Sequence, residues 1–203
     1  MLELREVGRC IASRLANEGL IVAVNDLPNK LAQLEAVALE IRSSTGSQAI
    51  AVTGDVSSEE NVQAMVAAVV EQLGGLDVMI ANAGITGFRS LLDRERVGSI
   101  NARGVMLCYK HAAKQMVEQG RGGRIIGIPS LSAYAASKSA VRGLTQCAAL
   151  ELAAHKITRL NMPTNMPMAD HEVIASVVSY LAKPESYFIT GQTISVNGGT
   201  HCD

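Results

Sequence analysis

Hydrophobic and polar positions along this chain alternate between two patterns, one with helical spacing and one of short continuous apolar runs. Apolar positions at helical spacing extend from Val7 to Glu18 and end at Gly19. The apolar run Ile21–Val24 follows at once and stops at Asn25. Because strands buried on both faces read as short apolar runs, the pattern predicts a helix followed by a buried strand.

The same alternation continues to the end of the chain. Further helices are predicted over Leu31–Thr45, Glu59–Leu73, Asn101–Gln119, Tyr134–His155 and Glu172–Ala182. Further strands are predicted over Ala49–Thr53, Val78–Ala81, Arg124–Ile128, Ile157–Asn161 and Gln192–Val196. Strands separated by helices imply crossover connections and a parallel sheet, and no linker or internal repeat divides residues 1–203. We therefore predict a single α/β domain with a doubly wound parallel sheet.

Composition agrees with this fold and narrows the function. Hydrophobic residues make up 48% of the 203 residues and aromatic residues only 3%, as expected for an aliphatic sheet covered by helices. A net charge of −1 offers no field for nucleic acid or an anionic membrane. The four cysteines and four histidines show no metal-ligand spacing, so neither a metal site nor a disulfide framework is indicated. With no apolar run of membrane-spanning length, we expect a soluble cytoplasmic protein.

Polar residues follow the predicted strands at the edge where ligands bind in open parallel sheets. Asp26 follows the first predicted strand, where its carboxylate can accept hydrogen bonds from the ribose hydroxyls of NAD and would repel the additional phosphate of NADP; an ordinary turn aspartate is the alternative. Asp55-Val56 follows the next strand. Asp55 either bonds an adenine amino group or, with Ser57 and Ser58, caps the following helix.

Asn82-Ala83-Gly84 follows the strand after that. Small residues there would let the backbone approach a cofactor closely, although a plain turn is also consistent with the sequence.

A phenol and an ammonium group lie four residues apart in a later predicted helix. Tyr134 and Lys138 therefore share one helix face. A lysine beside a tyrosine stabilises the phenolate and lowers its pKa from about 10 toward neutrality, as an acid/base catalyst requires. The alternative for this pair in isolation is a packed ring beside a solvated lysine.

Taken together, these motifs resemble the short-chain dehydrogenase/reductase family of NAD- or NADP-dependent enzymes. The motifs carrying the resemblance are Asp55-Val56, Asn82 to Gly84, Asn101-Ala102-Arg103-Gly104, Tyr134 to Lys138, and Ile189 to Gly199. The sequences around Gly122 to Gly127 and Ser132 to Leu152 are most similar to acetoin/diacetyl reductases and butanediol dehydrogenases.

The resemblance implies roles for four residues. Tyr134 would protonate the carbonyl oxygen as hydride arrives from nicotinamide, and Lys138 would lower its pKa and hold the nicotinamide ribose. Asn101 would anchor a water that relays protons to Lys138. Ser130, by its position after a strand, would polarise the substrate oxygen, with Ser132 a poorer candidate. The resemblance also implies a dimer or tetramer, NAD as cofactor and a small carbonyl or alcohol substrate.

The chain departs from the family at its beginning. The family starts with a central strand and a glycine-rich turn that holds the pyrophosphate, and only Val7-Gly8 remains of that turn here. Without that strand, Ile21–Val24 and Val78–Ala81 would lose their shared neighbour and expose unpaired backbone groups. The connections before Asn101, between Ser130 and Tyr134, and around residues 163–170 also look shortened. Two hypotheses follow: an NAD-linked carbonyl oxidoreductase, or an inactive relative that acts only as a partner subunit or does not fold stably.

Overall fold

The computed structural model describes residues 3–85, 98–128, 157–161, 170–194 and 196. The helices are α1 (Glu3–Asn17), α2 (Leu31–Thr45), α3 (Glu59–Leu73), α4 (Val105–Gln119) and α5 (His171–Ala182). The strands are β1 (Val22–Asp26), β2 (Ala49–Thr53), β3 (Val78–Ala81), β4 (Gly123–Gly127), β5 (Ile157–Asn161) and β6 (Gln192–Thr193). Short 3-10 helices cover Pro28–Lys30 and Pro184–Ser186, and a π-helical segment, Ser99–Gly104, leads into α4.

The strands form parallel pairs, which confirms the predicted α/β class. β1 pairs with β2, with Val22 opposite Ala49 and Asp26 opposite Thr53. β3, β4, β5 and β6 follow one another in a second parallel sheet. Among the described residues no strand lies between β1 and β3.

Most element boundaries agree with the sequence pattern to within a few residues. α1 begins at Glu3 instead of Val7, and β1 continues to Asp26 instead of ending at Val24. The hydrophobic pattern does not predict the end of β1, because the last residues of this strand are polar yet still pair with β2. β6 covers only Gln192–Thr193, and the helix predicted over Tyr134–His155 lies outside the described residues.

Helices cover both faces of the strands. One face carries a core formed by α1, α2 and α5 over β1 and β4, whose fully buried side chains include Ile41, Ile126 and Leu181. The other face carries a core formed by α3 and α4 over β2, β3 and β4, centred on Val62, Leu107 and Met116. Helix layers on both faces are the arrangement of a doubly wound fold.

Both helix layers cross the boundary between the two sheets. On one face α1 contacts α5 extensively, and the carboxylate of Glu18, just after α1, accepts hydrogen bonds from Arg14 in α1 and from Ser179 in α5. On the other face Glu59 at the start of α3 pairs with Lys110 of α4. The two sheets are therefore held together through helices although β1 and β3 do not pair.

Candidate active site

The carboxyl ends of β1, β2 and β3 place the predicted cofactor residues along one edge of the fold. Asp26 is the last residue of β1, and its Oδ1 accepts a hydrogen bond from the backbone N–H of Leu27 (2.8 Å). The Asp26 side chain is half-buried. The turn that follows β1 therefore orients this carboxylate at the end of a parallel strand.

Asp55 organises the turn after β2. Its Oδ1 accepts from both the backbone N–H (2.9 Å) and the hydroxyl (2.7 Å) of Ser57. The hydroxyl of Ser58 accepts from the backbone N–H of Asn61 (3.2 Å). Ser58 is therefore the residue that caps α3. Asp55 stabilises the turn that precedes this helix.

Gly8 lies inside α1, not in a turn, and it touches the segment that follows β3. A Cβ built on Gly8 would lie 2.9 Å from Nδ2 of Asn82. Its neighbour Val7 is buried in the core. Val7-Gly8 has a helical conformation, because α1 already begins at Glu3. Its part in phosphate binding stays a prediction.

Asn101 binds the chain just beyond Asn82 to Gly84. Its Oδ1 accepts from the backbone N–H of Ile85 (2.9 Å), and its Nδ2 donates to the carbonyl of Ile85 (3.0 Å). The Asn101 side chain is 5% exposed. It lies in the π-helical segment Ser99–Gly104, and π-helical turns often occur at functional sites. Asn101 therefore fixes the loop that follows β3.

The same π-helical segment also contacts the end of β2. A Cβ on Gly104 would lie 3.0 Å from Cγ2 of Val56, so only glycine permits this approach without displacing a neighbour. Arg103 donates from its guanidinium to the carbonyl of Ser57. The segment thus joins the loop after β2 to the loop after β3, and it does so across the boundary between the two sheets.

Three residues that sequence reasoning did not single out support this edge. Ile85 receives the Asn101 side chain, Arg103 holds the β2 loop, and Asn25 donates from Nδ2 to the carbonyl of Val52 (2.9 Å). Arg103 belongs to a motif that the sequence displays, whereas nothing in the sequence marks Ile85, which contributes only backbone groups. Tyr134, Lys138 and Ser130 lie outside the described residues.

The described residues show neither a metal centre nor a membrane span. In the described ranges no three His, Cys, Asp or Glu side chains come close enough to hold a metal ion. No helix in that part of the chain is long and apolar enough to cross a bilayer.

Comparison with known proteins defines the class. The profile of the short chain dehydrogenase family matches residues 5–166. A short-chain dehydrogenase/reductase of Armillaria gallica is 44% identical over 239 aligned positions, covering 95% of this chain and 91% of the relative. A 3-oxoacyl-[acyl-carrier-protein] reductase FabG of Staphylococcus aureus is 36% identical over 234 positions, covering 97% and 94%. The chain belongs to the short-chain dehydrogenase/reductase family.

Solved structures agree with the fold. A short-chain type dehydrogenase/reductase from Mycobacterium marinum superposes with a TM-score of 0.89 at 31% identity, over 97% of this chain and 91% of that protein. An acetoin dehydrogenase from Enterobacter cloacae superposes with a TM-score of 0.84 at 28% identity, over 95% and 90%. The family and its Rossmann-like fold are therefore established. The relatives are named for more than one substrate.

Proposed function

We propose that this chain is an NAD(H)-dependent oxidoreductase that interconverts a small ketone or diketone with its alcohol. The observation that supports the proposal is that the buried Asn101 holds the loop after β3 just beyond Asn82 to Gly84, while Asp26 stands at the carboxyl end of β1. The edge formed by the carboxyl ends of the strands is where open parallel sheets bind dinucleotides. Among the relatives, acetoin dehydrogenases supply the structural precedent for a small hydroxyketone.

The described residues fit a dinucleotide at this edge. The Asp26 carboxylate would hold the adenosine ribose, Asp55-Val56 would border the adenine, and the exposed Ala83 and half-buried Gly84 leave the backbone open to close approach. When bound, the nicotinamide cofactor supplies or accepts the hydride. Asp26 favours NAD because a phosphate on the ribose would meet its negative charge.

The chemistry at the carbonyl belongs to Tyr134, Lys138 and Ser130 in this proposal. Tyr134 gives its phenolic proton to the carbonyl oxygen during reduction, and Lys138 holds the phenol's pKa near the working pH. Ser130 donates a hydrogen bond to the same oxygen, which stabilises the charge that develops there. Asn101 is a positioning residue, since both polar atoms of its amide are engaged with Ile85.

The substrate class most needs measurement. The FabG relatives are named as 3-oxoacyl-[acyl-carrier-protein] reductases, which implies a thioester substrate instead of a small ketone or diketone. We would assay NADH- and NADPH-linked reduction of diacetyl, acetoin and an acetoacetyl thioester with the wild type and with Tyr134→Phe. Tyr180→Phe is the matched control, since Tyr180 is 48% exposed on α5. We expect diacetyl or acetoin turnover that Tyr134→Phe abolishes and Tyr180→Phe preserves.

Two results would contradict the proposal. Turnover unaffected by Tyr134→Phe would remove the assigned acid. Reduction of the thioester alone, with NADPH, would assign the chain to the 3-oxoacyl reductases instead.

Assembly into a dimer or tetramer is part of the same proposal. Exposed aromatic side chains cluster at the end of α5 and just beyond it, namely Tyr180, Tyr187 and Phe188. Phe188 is 85% exposed and packs edge-on against Tyr187. Sedimentation velocity of the wild type and of Phe188→Ser would test this surface, because loss of an aromatic contact weakens an interface.

A further inference from the structure

A short chain of hydrogen bonds connects the π-helical segment before α4 to the carboxylate of Asp55. The guanidinium of Arg103 donates to the backbone carbonyl of Ser57. Ser57 in turn donates from its backbone N–H (2.9 Å) and from its hydroxyl (2.7 Å) to Oδ1 of Asp55. Arg103 therefore acts on the Asp55 carboxylate through one intervening residue.

The backbone of Asp55 is fixed independently of Arg103. Its N–H donates to the side-chain oxygen of Asn61 in α3 (3.2 Å), and its carbonyl accepts from the backbone N–H of Ser58 (3.0 Å). Both of these partners belong to the beginning of α3. The main chain of Asp55 is thus held by α3, whereas the donors that orient its carboxylate are both on Ser57.

Two further contacts hold Arg103 beside this loop. Gly104 lies against Val56, so that a Cβ on Gly104 would be 3.2 Å from the carbonyl oxygen of Val56. Lys110 follows Arg103 by seven residues, which places it on the same side of a helix, and it pairs with Glu59 at the start of α3. These contacts lie on both sides of the carbonyl that Arg103 binds.

The orientation of the Asp55 carboxylate decides which purine it can bind. A carboxylate only accepts hydrogen bonds, so it matches the amino group of adenine and repels an oxygen at the same place on the ring. Hydrogen bonds weaken steeply as they depart from good alignment. The match to adenine therefore depends on the donors that hold the carboxylate in one orientation.

We infer that Arg103 is a positioning residue that gives the cofactor site its preference for adenine, acting through Ser57 on the Asp55 carboxylate. The inference rests on the proposed function, since it takes the purine of the nicotinamide cofactor as the ligand of Asp55. Without the guanidinium, the Ser57 peptide loses a charge-assisted hydrogen bond, and the donors to Asp55 turn with that peptide.

The test compares two dinucleotides that differ at one position of the purine. NADH carries the adenine amino group, and reduced nicotinamide hypoxanthine dinucleotide carries an oxygen in its place. Nicotinamide fluorescence measures the dissociation constant of each. We expect the wild type to bind NADH about tenfold more tightly, because the hypoxanthine analogue loses a hydrogen bond to a charged group. A ratio measured on one folded protein is not changed by a loss of stability.

Arg103→Met removes the donors and keeps most of the apolar stem of the side chain. We expect the ratio of the two dissociation constants to fall to about one in this variant. Arg42→Met is the matched control, because Arg42 is also exposed and donates to the carbonyl of Ala49 (2.6 Å) at the opposite end of β2. We expect Arg42→Met to keep the ratio of the wild type.

Two more variants test the connection through Ser57. Ser57→Ala removes one donor to Asp55 and should also lower the ratio, and combination with Arg103→Met should lower it no further, because both act on one carboxylate. Far-ultraviolet circular dichroism checks that each variant folds. Arg103→Lys keeps the charge without the planar fork, so we expect an intermediate ratio, and this variant decides the question if Arg103→Met does not fold.

Four results would overturn the inference. A wild type that binds neither dinucleotide would overturn the proposed function together with it. Equal binding of the two dinucleotides by the wild type would leave the proposed function intact and show that Asp55 does not bind the purine amino group. An unchanged ratio in Arg103→Met and Arg103→Lys would show that Arg103 does not position Asp55. An equal fall in Arg42→Met would mean that both arginines act through the general order of β2.

Discussion

Gly8 leaves the space that the side chain of Asn82 occupies, and through it α1 contacts the loop after β3. A Cβ built on Gly8 would lie 2.9 Å from Nδ2 of Asn82. The contact joins the first helix, which covers β1, to a loop that belongs to the other sheet. It is a direct link across the boundary between β1 and β3 at the candidate active site.

Gly8→Ala should therefore lower stability and disturb the Asn82 to Gly84 loop. The added methyl group must displace the Asn82 amide, and overpacking of this kind costs about 1–3 kcal/mol, of which the better helix propensity of alanine offsets up to about 1 kcal/mol. Gly98→Ala is the control, because a Cβ at Gly98 meets nothing within 4 Å and its φ of −62° is helical. We expect Gly98→Ala to be stabilising by about 0.5–1 kcal/mol. Urea unfolding of both variants measures the difference, and equal effects would show that the Gly8 contact does not matter.

Asn101→Ala should remove the two hydrogen bonds that hold the half-buried backbone of Ile85. We expect the free energy of unfolding to fall by about 2–4 kcal/mol. We also expect the affinity for NADH to fall. Gln119→Ala is the matched control. Gln119 binds Leu76 by the same pair of amide bonds (2.7 and 3.1 Å) at the opposite end of β3.

The two variants separate a stability effect from an effect on the site. Both should melt earlier than the wild type, but only Asn101→Ala should weaken NADH binding, measured by nicotinamide fluorescence at a temperature where both are folded. Equal weakening in the two variants would mean that Asn101 acts through global stability alone.

The fold could be predicted from the sequence because its signals are local. The apolar runs at β2 and β3 and the helical spacing of α2 and α3 are strong, and the structure gives these elements the predicted bounds.

The candidate site was only partly predictable, because some of its contacts depend on three-dimensional approach. Asp26, Asp55 and Asn82 follow strands and could be found from the pattern. The attachment of Asn101 to Ile85 could not, since Ile85 offers only its backbone.

Asp26→Ser should shift cofactor preference toward NADPH. Removal of the carboxylate abolishes repulsion of a ribose phosphate and also removes a hydrogen-bond acceptor for the ribose hydroxyls. We expect the ratio of NADPH to NADH affinity to rise about tenfold, the equivalent of about 1.4 kcal/mol. Asp55→Ser is the control, because its carboxylate is engaged with Ser57 and should affect both cofactors alike. An unchanged ratio in Asp26→Ser would place the ribose elsewhere.

Glu18 should make stability depend on pH in the acid range. Hydrogen bonds from Ser179 and Arg14, with Lys183 nearby, lower the pKa of Glu18 from 4.5 to about 2. Because the folded-state pKa is depressed, the ionised carboxylate stabilises the fold fully above pH 4.5, and this contribution is lost as pH falls toward 2. Glu18→Gln should lack that component, so its melting temperature should fall less steeply than that of the wild type between these pH values.

Glu40→Gln is the control, since Glu40 forms an exposed ion pair with Arg9, and exposed pairs contribute little. Parallel pH profiles for the wild type and Glu18→Gln would show that the link between α1 and α5 does not depend on this charge.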